Sequence, residues 1–125
     1  MNYNDLTRRH FERAAAAGVL SGPRVRRGEA GDRAQGTWVQ FTLRMPPEEA
    51  AASIEAVRFL AFGCPHVIAV ADWVCEAAVG RPPGRALPET VQRLRERFAV
   101  PIDKTGRLLI VEDAWIAAVS SPYGL

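Results

Sequence analysis

The sequence predicts an α+β fold: an N-terminal helix, a three-stranded antiparallel sheet, then three helices packed on the sheet. Two observations carry this. Three strand-like segments follow one another with no helix between them, which reads as an antiparallel meander. The remaining helical patterns are grouped after the strands, as in an α+β rather than an alternating α/β chain. The 125 residues make a single domain of ordinary size, residues 1–125.

Asn4 or Asp5 caps a first helix that runs to about residue 17, with Leu6, Phe11, Ala14 and Ala15 as its apolar stripe and Gly18 as its stop. Ser21-Gly22-Pro23 breaks the chain. A short basic strand starts at Val25 among Arg24, Arg26 and Arg27, and residues 28–36 read as a turn-rich link. Residues 37–45 are the clearest strand, because Val39, Phe41, Leu43 and Met45 alternate with Gln40, Thr42 and Arg44. Residues 50–57 are ambiguous, since their alanines favour helix. The third strand is placed at 54–62 on its β-branched and aromatic content.

Residues 65–79 form an amphipathic helix ended by Gly80, and Pro88 opens the next, with Val91, Leu94 and Phe98 inward and Arg93, Arg95 and Arg97 outward. Residues 100–104 are extended. From about residue 106, Leu108, Leu109, Val111, Ala114 and Ala118 mark the last helix, closed by Ser121-Pro122-Tyr123.

Composition narrows the function classes. Hydrophobic residues at 48% and charged residues at 24% describe a soluble globular protein, and a net charge of +2 gives no warrant for nucleic acid or membrane as partner. The apolar run 67–71 stops at Asp72, so nothing spans a bilayer. The N-terminus lacks a basic flank and an apolar signal core. Two cysteines fit a reducing compartment, and the expected location is cytoplasmic. Eleven residues apart on one helix, Cys64 and Cys75 would sit roughly 16 Å from each other, too far for a disulfide.

The chemistry concentrates at residues 58–69, where a strand meets Gly63, Cys64 and then Pro65 at a first helical position. The first amides of a helix lack internal partners and favour negative charge, so a thiolate there is stabilised. Cys75 reads as core, His10 as structural, and Asp32 after Gly31 also suits a turn. His66, on the same first turn, is a candidate ligand. No nucleophile–base pair suggests a hydrolase, and the chain reads as non-enzymatic.

Several stretches in order resemble the IscU/NifU N-terminal family of iron–sulfur cluster assembly scaffolds. Arg58-Phe59-Leu60-Ala61-Phe62-Gly63-Cys64 with Ile68-Ala69 resembles its strand–cysteine–helix segment. Tyr3, His10-Phe11-Glu12 and Gly18 resemble its first helix; Val79-Gly80 and Glu112-Asp113-Ala114 with Ala117-Ala118 resemble its helix end and last helix. Val100-Pro101-Ile102-Asp103-Lys104 resembles a stretch through which such scaffolds engage a chaperone. The resemblance implies a metal or cluster held by three cysteines, an aspartate and often a histidine. Here the first cysteine's slot is Ala30, ahead of Gly31-Asp32; the second is Cys64; and the histidine–cysteine pair has become Gly106-Arg107.

The implied donors are therefore Cys64 and Asp32, with His66 as a newcomer, for an iron–sulfur cluster, iron or zinc, or for no cofactor at all. Three functions follow as expectations. One is a degenerate scaffold that binds iron, cluster or sulfur weakly or with a partner such as a cysteine desulfurase. Another is a metal-free module that modulates the desulfurase or chaperone. The third is a single-thiol persulfide carrier or redox sensor using Cys64. Arg107, in a ligand's place, would lower the thiol's pKa and repel a metal cation if it lies beside Cys64.

Overall fold

The computed structural model describes residues 3–47, 53–84 and 86–122. Strands β1 (Val25–Asp32), β2 (Thr37–Arg44) and β3 (Ala56–Phe62) form one antiparallel sheet in the order β1-β2-β3. The expected meander is what forms. Helix α1 (Asp5–Arg13) precedes the sheet, and α2 (Pro65–Ala78), α3 (Val91–Arg97) and α4 (Thr105–Ser120) follow it.

The alternation in β2 puts Val39, Phe41 and Leu43 wholly inside the core. Helix α4 lies against β1 and β2, and Trp115 meets Phe41 edge-on with ring centroids 5.5 Å apart. The polar alternates are covered as well: Thr42 Oγ1 accepts from the Leu20 amide at 3.0 Å, and Gln40 Nε2 donates to Glu29 at 3.4 Å. Helix α2 packs on β3, α1 and α4. It is therefore buried on most sides, from His66 through Ala78, rather than amphipathic as expected.

The first helix stops at Arg13, four residues before its expected end, because Ala14 turns left-handed at φ 39°, ψ 46°. Residues 16–18 then run beside β3, with the Phe59 amide donating to Ala16 O and the Gly18 amide to Phe59 O. Pairing with the sheet overrides the helix propensity of the alanines. Nor is the stripe apolar. Phe11 is 40% exposed, and the buried positions are Thr7 and His10. Thr7 Oγ1 donates to the Phe98 carbonyl at 2.7 Å, and Asn4 caps the helix by accepting from the Thr7 amide.

Strand β1 is longer than expected and absorbs most of the supposed link. Its glycines mark close approach, not turning. Gly28 lies where the backbone of α4 crosses, and a Cβ there would fall 2.0 Å from Ala118 N. One 3-10 turn, Arg33–Gln35, leads into β2. Strand β3 begins two residues late, at Ala56; Ile54 is core, with its backbone tied to Gly80 and Arg81. Residues 48–52 and 123, on which part of the sequence reading falls, lie outside the described residues.

Thr90, not Pro88, opens α3, its hydroxyl accepting from the Arg93 amide at 3.2 Å. Thr90→Ala should cost about 1 kcal/mol, read as a lower urea midpoint with unchanged slope. Leu94 and Phe98 are fully buried, as expected. Residues 100–104 are not extended throughout: Ile102–Lys104 make a 3-10 turn feeding α4, and Ile102 is 75% exposed. Leu109, expected inside, is exposed.

Candidate functional site at the mouth of helix 2

Gly63 ends the third strand and Cys64 is the N-cap of α2, in extended conformation, with Pro65 first in the helix. The junction is as expected. Cys64 is partly exposed, and its thiol makes no capping hydrogen bond, while its carbonyl accepts from the Val67 and Ile68 amides. Partial burial works against ionisation of the thiol. The Val67 amide, the Arg107 guanidinium, the His66 amide and the positive charge of Arg107 together outweigh it, so the pKa lies below that of an ordinary thiol.

Arg107 comes from the first turn of α4, and its guanidinium is near enough to Cys64 to favour the thiolate. It also lines a cleft of about 280 Å³ with Asp32, Asp103, Gln35 and Ile110. The end of β1, the mouth of α2 and the start of α4 thus converge. Asp32 sits there as the cap of the 3-10 turn, accepting from the Ala34 amide at 2.8 Å. Gly31 beside it has φ +90°, and a Cβ would fall 2.3 Å from Thr37 O. Glycine is needed both for that φ and for the space.

His66 turns inward. It is 2% exposed, meets Tyr3 edge-on at 4.8 Å, and buries Nδ1 with no hydrogen-bond partner among the described residues. Burial first, then the charges of Lys104 and Arg107, lower its pKa and hold the ring neutral near pH 7. Among the described residues, Cys64, Asp32 and His66 do not form a set of three donors within 4.8 Å of one another; His10, Asp72 and Glu76 do. That second cluster was missed from sequence, although an aspartate interrupting the apolar run of α2, with a glutamate one turn on, was a visible signal. Cys75 is buried, which raises its pKa well above the usual value; the charge of Asp72 adds to this and Arg58 opposes it. Both cysteines are free thiols. No described helix is long and apolar enough to cross a membrane.

The same architecture occurs in solved structures. One is a candidate iron–sulfur cluster assembly scaffold protein for the SUF system, FiSufU, from thermophilic Fervidobacterium islandicum AW-1. It matches with a TM-score of 0.58 at 12% identity, over 95% of each chain. Another, a hypothetical protein, matches with a TM-score of 0.66 at 16% identity, over 91% of this chain and 93% of that one. At such identities the likeness is one of fold alone, and the class it defines is an α+β domain with helices packed on a three-stranded antiparallel sheet. Residues 2–123 match the NifU-like N-terminal domain model, and the chain belongs to that family. Over 96 residues it is also 35% identical to the iron–sulfur cluster assembly scaffold protein IscU of Aquifex aeolicus (strain VF5). That match spans 77% of this chain and 59% of the relative's length.

Proposed function

We propose that this chain is a scaffold-type protein of iron–sulfur cluster assembly whose own donor set is incomplete. It holds iron, cluster or sulfur at Cys64 and Asp32 only when a partner protein supplies further donors. The observation that carries this reading is Arg107, which stands near Cys64 and favours its thiolate, in a place where the family resemblance calls for a ligand. A cluster usually takes four thiolates and structural zinc four donors, and the converging segments offer one thiol, Cys64, and two carboxylates, Asp32 and Asp103. A fixed cation beside the thiol further disfavours a metal ion. The partners this reading calls for are a cysteine desulfurase and a chaperone, with exposed Ile102 available to the latter.

The test is anaerobic incubation with ferrous iron, sulfide and reductant. The chain alone should stay colourless. Visible charge-transfer absorption should appear when the desulfurase is added and vanish in Cys64→Ala. Equal colour without the partner would overturn the incomplete donor set, and no colour under either condition would overturn metal handling. Arg107→Cys combined with Ala30→Cys should raise uptake by the chain alone.

The same arginine favours a second reading, in which Cys64 accepts sulfane sulfur without metal. The thiolate attacks the terminal sulfur of a partner's persulfide, the sulfur–sulfur bond breaks, the partner's thiolate leaves and a persulfide remains on Cys64. Intact mass after incubation with desulfurase and cysteine should rise by one sulfur, with chelator present, and not in Cys64→Ala.

A further inference from the structure

We infer that His10, Asp72 and Glu76 form a second site between α1 and α2, which binds a six-coordinate divalent cation of the manganese or ferrous type. It does not depend on Cys64. One nitrogen and two carboxylate donors lie within 4.8 Å of one another. Two of them are held rigidly: His10 and Asp72 are each 3% exposed. The Ala16 amide donates to Asp72 Oδ1 at 2.9 Å, which fixes the carboxylate plane and turns Oδ2 toward His10 Nδ1, 2.8 Å away. Such outer hydrogen bonds are what orient metal ligands. Glu76 follows Asp72 by one helical turn and is exposed, so it can swing to complete the set.

Donor type selects the kind of ion. The His10 Nδ1–Asp72 Oδ2 distance of 2.8 Å is that of their hydrogen bond, which holds the two donors side by side. One imidazole nitrogen and two carboxylate oxygens, with positions left for water, suit ferrous iron or manganese better than the closed, sulfur-rich sites of structural zinc. Asp72 and Glu76 also line a solvent-connected cavity of about 320 Å³, room for the waters that would fill the other positions. Glu55 and Arg58 stand in the same wall, so three carboxylates face one guanidinium. Arg9 Nη2 lies 3.5 Å from His10 Nε2, which marks Nδ1 as the protonated nitrogen in the metal-free ring. Coordination through Nδ1 requires the other tautomer, and the exposed Arg9 side chain must move off Nε2.

Titration of the full chain with manganese(II), followed by loss of the free-ion electron paramagnetic resonance signal, tests this. One equivalent should bind, unchanged in Cys64→Ala and weakened at least about tenfold in Glu76→Gln. Glu76 is exposed, so its replacement leaves the core intact; His10→Gln should abolish binding, with circular dichroism to confirm folding. Cobalt(II) bound there should give the weak absorption of a six-coordinate ion. No manganese binding by the folded chain, unchanged binding in Glu76→Gln, loss in Cys64→Ala, or intense tetrahedral cobalt bands would each overturn the site.

Discussion

Gly28→Ala should destabilise the domain by about 3 kcal/mol or more, lowering the melting temperature by roughly 10 °C. The added Cβ would sit 2.0 Å from Ala118 N, 2.4 Å from Ala117 C and 2.5 Å from Ala118 Cα. All three are backbone atoms, so no rotamer change relieves the overlap. Strand β1 and helix α4 must separate, which loosens the layer in which Trp115 meets Phe41. Gly36→Ala is the control. Its Cβ meets no heavy atom within 4 Å, and only the positive φ of 95° opposes it, so its cost should be about 1–2 kcal/mol. Urea unfolding of both variants gives the comparison; equal losses would mean that helix and strand do not approach so closely.

The two cysteines should differ in alkylation rate by about a hundredfold or more at neutral pH. Iodoacetamide reacts with the thiolate, and Cys64 is partly exposed beside a guanidinium, whereas Cys75 is buried with its pKa raised. The sign of the pH dependence follows. A thiol whose pKa is lowered by folding reaches its full thiolate fraction at lower pH than the same thiol in the unfolded chain. The rate at Cys64 should therefore level off at lower pH in the folded protein than in urea. Arg107→Ala removes one of the stabilising groups, so the plateau should move to higher pH and the rate at pH 7 should fall. An unchanged profile would show that Arg107 does not govern the thiol, and the argument for an incomplete donor set would lose its carrying observation.

Each of these effects was legible in sequence to a different depth. The β2 alternation, the Gly-Cys-Pro junction and the capping Asn4 are local patterns, and local patterns survive in the fold because each is stabilised within a few residues. Whether Arg107 lies near Cys64 could be asked from the resemblance but not answered, since 43 positions separate them. Gly28 looked like a turn residue because strand and turn both admit glycine; what decides is a helix 90 residues further on. Ala14–Ala17 looked helical because propensity was all that could be weighed there. Phe11, expected on the inner stripe, is exposed, while His10, read as structural, is buried because Asp72 in α2 offers it a partner.

From the chain alone came the order of helix and strands, the family resemblance, and a lone thiol at the mouth of a helix, all properties of contiguous residues. Tertiary packing alone decided which side chains meet: Arg107 with Cys64 and the Asp32 cleft, His66 with Tyr3, and His10 with Asp72. The reason is that burial and charge act through space, and the partners that set them lie far apart along the chain.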